Sequence, residues 1–202
     1  MDIFFKLLPS KNKCRSREDC QSTLNELFIE FAEFDYWKSD LQVILKNAFS
    51  YNISFPKESP GSLLYFGSQF NKLIFASFYL FRKHQNINIE NPEWKDLIDK
   101  KSIESETELL DRIPFLPNSL SKEEIKNPNL FLNSFFYHKS LKKWIKHWNV
   151  LLEFSIRKTS LIGYDDIYLI DSKYFLGLLE ACYLIFVREF QPNHQTDENN
   201  QD

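Results

Sequence analysis

An all-α fold, built as a single-domain helical bundle, follows from three features of the chain. Apolar residues recur at alternating spacings of three and four over long stretches, and a helix-start signal precedes most of them. Only 4 glycines stand against 20 phenylalanines, too few for a turn-rich β architecture or for phosphate-cradling loops. About four long helices are expected, over 19–50, 60–84, 128–157 and 172–190, with short helices between them. The second and fourth are apolar on nearly every side and therefore belong at the centre, with the other two covering them. Residues 1–191 read as one helical domain and 192–202 as a disordered polar tail.

The chain opens with a hydrophobic arm (Ile3, Phe4, Leu7, Leu8) followed by a basic turn. Its positive charges come after the apolar patch and no small-residue cleavage site follows, so it does not read as a signal peptide. Ser16 with Asp19, and Thr23 with Glu26, both resemble helix starts. The stripe Leu24, Leu27, Phe31, Phe34, Leu41, Leu45 and Ala48 is interrupted at Lys38 and predicts one long amphipathic helix, bent near Ser39–Asp40. Its opposite face carries Glu26, Glu30 and Glu33.

Asn52 to Ser59 is a loop. Ser59 as cap and Pro60 at the first helical position then open the first central helix. The nine residues between Lys72 and Arg82 are nearly all apolar, a run too short to cross a bilayer, so protein must surround it. Asn91–Pro92 starts a short helix to about Lys101, a polar segment runs to Asp111, and Pro114 and Pro117 break the chain. Ser121 with Glu124 forms a capping box, and Asn127–Pro128 starts the next long helix. That helix turns Leu141, Trp144, Ile145, Trp148, Leu151 and Leu152 inward and Lys139, Lys142, Lys143 and Lys146 outward. Residues 158–171 form an irregular link. Asp171 or Ser172 caps the last helix, whose narrow polar strip is Lys173, Gly177, Glu180 and Arg188.

The net charge of −3 provides no global attraction to nucleic acid or membrane. Cys14, Cys20 and Cys182 lack metal-ligand spacing and read as reduced thiols, and no apolar run reaches membrane-spanning length. A soluble cytoplasmic protein without metal or cofactor is expected. His138 and His147, nine apart, fall on opposite flanks of the expected helix and so cannot share a metal. Asp165, Asp166 and Asp171 match no cation-binding spacing and read as loop and capping acids.

Two surfaces stand out. Lys139, Lys142, Lys143 and Lys146, extended by Arg157 and interrupted by Glu153, form a basic stripe. Glu26, Glu30 and Glu33 form an acidic face of opposite sign. Together they favour a non-enzymatic helical adaptor or regulatory protein acting by protein–protein contact or self-association, with Tyr36, Trp37, Tyr65 or Trp94 as aromatic anchors. The alternative is an RNA-directed module that binds phosphates through the lysines. Arg188 and His194, separated by five residues, resemble the Arg-x4–6-His ribonuclease motif of HEPN-type helical bundles; that resemblance implies RNA cleavage by this pair. Here Glu189 follows the arginine and Pro192 interrupts the segment. A third reading is a small hydrophobic ligand held between the apolar helices.

Overall fold

Seven α-helices follow one another among the described residues of the computed structural model, 14–53, 59–83, 117–157, 159–163 and 166–190. They are α1 (Arg17–Asn25), α2 (Phe34–Ala48), α3 (Pro60–Lys83), α4 (Lys122–Lys126), α5 (Pro128–His138), α6 (Leu141–Ser155) and α7 (Asp166–Ile185). The π-helical segments Glu26–Phe31 and Phe186–Phe190 continue α1 and α7. No strand occurs among the described residues, in keeping with the all-α expectation. The N-terminal arm, the short helix at Pro92, Trp94 and the C-terminal tail lie outside them.

The two apolar helices occupy the centre. α3 packs against α1, α2, α5, α6 and α7, while α7 packs against α2, α3, α4, α5 and α6. Helix α3 is not closed on every side, because Phe75, Phe78, Tyr79 and Phe81 stay partly exposed along its second half. Two glycines set the closest approaches. A Cβ on Gly67 would meet Leu152 of α6, and one on Gly177 would stand 2.5 Å from the Phe131 ring of α5, so both pairs of helices touch where a side chain is missing.

Most of the expected start signals operate. Ser16 with Asp19 and Ser121 with Glu124 form reciprocal capping boxes. The Ser59 hydroxyl accepts from the Ser62 amide at 3.2 Å, and Asn127 caps α5 through the Asn129 amide. Thr23 does not start a helix: it lies within α1, and its hydroxyl donates to the Asp19 carbonyl at 2.8 Å.

The expected helix over 19–50 is broken, and the break falls at Ala32–Glu33, not at Ser39–Asp40. Both residues are extended (φ −163°, ψ 151° and φ −64°, ψ 157°) although the surrounding residues include good helix formers. Packing overrides propensity here. The break lets Phe28 and Phe31 meet the Trp37 ring at 5.9 and 5.2 Å, and lets Phe34 stack on Tyr183 at 4.2 Å. Trp37 then donates its indole N–H to the Leu27 carbonyl at 2.9 Å, satisfying an acceptor near the end of the interrupted helix.

The interruption of the stripe at Lys38 has a partner in the core. Lys38 is buried, and its ammonium lies 2.9 Å from the fully buried carboxylate of Glu180 on α7. Glu180 also accepts from the backbone amides of Asn118 and Ser119 at 3.1 and 2.8 Å. The polar strip expected on the last helix is thus largely inside the protein, with Lys173 alone of its four residues exposed.

Glu180→Ala takes the carboxylate from a buried lysine and two amides, and is expected to lower stability by about 3–5 kcal/mol. Lys38→Met leaves the carboxylate its two amide donors and should cost less. Urea denaturation of the two variants beside the wild type measures both.

Candidate functional site

The expected helix over 128–157 is two helices. α5 ends at His138, Lys139 and Ser140 are extended (ψ 149° and 153°), and α6 restarts at Leu141. The elbow is held by Trp144, which stacks on Phe135 at 4.0 Å and donates its N–H to the Phe135 carbonyl at 2.8 Å. It removes the premise that the two histidines lie on opposite flanks of one helix. His138 and His147 lie on separate helices, and both reach the same carboxylate, Asp171.

Asp171 is fully buried on α7. The helix begins at Asp166, five residues before the expected cap, so Asp171 and Ser172 are interior residues of it, and the Ser172 hydroxyl donates to the Leu169 carbonyl. Lys139 Nζ stands 2.6 Å from Asp171 Oδ1, His138 Nε2 3.4 Å from the same oxygen, and His147 Nδ1 2.5 Å from Oδ2. Rings close the cluster: His138 stacks on Tyr174 at 5.2 Å, His147 lies 4.8 Å from Tyr168, and Lys139 stands over Trp144.

Burial pushes the His147 imidazole below its ordinary pKa. The Asp171 charge opposes that shift, while Lys139 and Lys146 add to it. The Asp171 carboxylate stands against Nδ1 of that ring, but neither Nδ1 nor Oδ2 completes a hydrogen bond. A carboxylate-oriented imidazole is the chemistry of a general base, yet here access is poor: Asp171 has no exposed side-chain surface and His147 only 13%. Lys139 fills the space between Asp171 and His138 that a metal ion would need, and no metal-holding group of three His, Cys, Asp or Glu exists among the described residues. The arrangement is a charge-balanced clamp between the elbow and α7.

The residues of the basic stripe divide accordingly. Lys139 is turned inward to Asp171. Lys142, Lys143 and Lys146 stay exposed within an arc of about 100° on α6, and none forms an ion pair among the described residues. Arg157 lies beyond the end of α6 and pairs with Glu153. The acidic face is divided too. Glu26 bonds Lys72 of α3 at 2.5 Å, Glu30 is exposed, and Glu33 is exposed at the N-cap of α2.

Of the expected aromatic anchors, Tyr36 and Tyr65 are exposed, whereas Trp37 is in the core. Trp144 and Trp148 are core residues as their side of the helix implied, and Trp148 donates to the Gly67 carbonyl at 3.0 Å. An aromatic that sequence reasoning passed over, Tyr137, lies in the last turn of α5 with 81% of its surface exposed. Helix periodicity does not flag it, because the elbow that frees it is invisible in the pattern.

Arg188 donates to the Ile125 and Lys126 carbonyls at the end of α4, at 2.8 and 3.4 Å, and burial brings its guanidinium down to about 10. Its expected companion His194 lies outside the described residues. A cavity of about 440 Å³ is present, but it lies on the outer flank of α3 against Cys14, Tyr79, Arg82 and Leu141, and no residue of α7 lines it. No helix among the described residues is long and apolar enough to cross a membrane. Comparisons with protein-family models, with curated proteins and with solved structures find no match to this chain.

Because folded His147 holds a proton more weakly than it does in the unfolded chain, its contribution to stability is complete above the unfolded pKa and falls as pH drops below about 6.5. Urea midpoints measured from pH 8 to pH 5 should show that fall, and His147→Gln should flatten it.

Proposed function

We propose that the protein is a non-enzymatic helical binding module that engages an acidic partner protein through Lys142, Lys143 and Lys146 on α6. The observation that carries this reading is the contrast between inward and outward cations. Lys38, Lys72 and Lys139 each hold a carboxylate of this chain, while the three exposed lysines of α6 hold none among the described residues. A cationic face on α6, with an exposed tyrosine, Tyr137, on the preceding helix, combines a charged rim that selects and steers a partner with an aromatic of the kind that anchors interfaces. Self-association through the acidic face is the less favoured form, since Glu26 is already paired with Lys72.

Nucleic-acid binding is the second reading, and it uses the same lysines with Tyr137 in place of Trp144 and Trp148 as the stacking surface. The net charge of −3 and the burial of both tryptophans count against it.

The two readings separate in one experiment. Anisotropy titrations of a labelled poly-glutamate peptide and of a labelled single-stranded RNA are run at low and high salt. Binding of the peptide is expected, weakening with salt and falling about tenfold in the triple variant Lys142→Glu, Lys143→Glu, Lys146→Glu, at about 0.5 kcal/mol for each exposed charge pair. Retention of RNA with no peptide binding transfers the face to the second reading. No binding of either probe, or binding untouched by the triple variant, overturns both.

A further inference from the structure

Cys14 and Cys20 stand on either side of the Ser16 cap of α1, and both are free thiols. Cys14 Sγ donates to the Thr23 hydroxyl at 3.7 Å. Cys20 and Thr23 are three apart on the same helix, so they are neighbours on one face. Cys14 also lies along Phe75 and Tyr79 of α3, and Cys20 against Ala76 of the same turn, so the two thiols sit side by side between α1 and α3. Their accessibilities differ sharply. Cys14 is half-buried and lines the wall of the 440 Å³ cavity beside Arg15, Tyr79 and Arg82. Cys20 is fully buried, with its thiol 3.8 Å from the Ala76 carbonyl of α3. One sulfur faces a reagent in the cavity, and the other is shielded from it.

We propose that Cys14 is a hydroperoxide-reactive site and Cys20 its resolving partner, closing a reversible intramolecular disulfide across the N-terminus of α1. In the first step the Cys14 thiolate attacks the terminal peroxide oxygen. An S–O bond forms, the O–O bond breaks, and the departing alkoxide or hydroxide takes a proton from water. In the second, Cys20 loses its proton and its sulfur attacks the sulfenic sulfur of Cys14. An S–S bond forms and the S–O bond breaks, and the released hydroxide takes up the Cys20 proton as water. The dithiol loses two electrons and the peroxide gains them, so one alcohol (or water) and one water form for each disulfide.

The electrostatics agree with this division of labour. The neighbouring Cys20 thiol, opposed by burial and helped by Thr23, brings the Cys14 thiol down to about 7. Contact with Cys14 and burial both push Cys20 up. The thiolate is the nucleophile, so Cys14 is the sulfur that reacts first. Cys182 is buried on α7, where desolvation pushes its thiol up, and takes no part. Disulfide closure withdraws Cys20 from the Ala76 carbonyl and pins the segment before α1 to the helix.

The test uses the full chain and stoichiometric hydrogen peroxide at neutral pH, followed by alkylation and peptide mass mapping without reductant. Arg15 and Arg17 are tryptic sites between the two cysteines, so the linkage appears as two joined peptides. The expected products are a Cys14–Cys20 link in the wild type and a dimedone-trapped sulfenic acid on Cys14 in Cys20→Ser. Peroxide consumption by Cys14→Ser should fall at least tenfold. Cys20→Ala repeats the second arm should serine disturb the core. Direct passage of wild-type Cys14 to sulfinic acid with Cys20 fully alkylated, a Cys14–Cys14 dimer, or oxidation unchanged in Cys14→Ser each overturns the proposal.

Discussion

The Glu180 carboxylate is the constraint on which the arrangement of helices depends. It lies wholly within the core on one of the two central helices and gathers Lys38 from α2 with the two amides that precede α4. A carboxylate cannot be left alone in such a place, because its desolvation costs several kcal/mol unless charge and hydrogen bonds replace water. Apolar packing by itself tolerates sliding and rotation of helices. A buried acid with three donors does not, since any shift of α2 or of the 118–119 turn leaves one of them unsatisfied. The register of α2 against α7 is thereby fixed at one point.

A second buried acid works on the other side of the same helix. Asp171 and Glu180 are nine residues apart, which is about half a turn around an α-helix and about 13 Å along it. Asp171 faces the α5–α6 elbow and takes Lys139 and His147; Glu180 faces α2 and takes Lys38. Both acids answer a lysine from an amphipathic segment, and each of those segments is adjacent to a helix break. The breaks also share a device: a tryptophan after each one, Trp37 or Trp144, returns its indole N–H to a carbonyl of the helix before it. A broken helix exposes carbonyls that must be satisfied, and an indole supplies a donor together with a large buried surface.

These internal pairings decide what remains for the surface. Of the four lysines that align in sequence, Lys139 is consumed by Asp171, and three are left outside. Of the three aligned glutamates, Glu26 is consumed by Lys72. The surface carries less charge of either sign than the sequence pattern displays, and the cationic part survives better than the acidic part. Chemistry is divided as well. The imidazole–carboxylate pair is closed over by its own lysine, while the half-buried thiol of Cys14 stands at an open cavity.

The amino-acid sequence alone determined the all-α class, the central position of the two apolar helices, the caps at Ser16, Ser59, Ser121 and Asn127, and the inward faces of Trp144 and Trp148. These are local or periodic properties, set by side chains within one helix and by the side each residue presents. Lys38 within an apolar stripe and Glu180 on an apolar helix were visible as irregularities, but nothing along the chain pairs residues 142 positions apart. Only the tertiary structure decided where the two long stripes break, that His138 and His147 converge on Asp171, and that Lys139 leaves the basic face. Helix formers surround both breaks, so local propensity runs straight through them; the gain that interrupts them comes from rings, carbonyls and carboxylates on other helices, which exists only once those helices are packed.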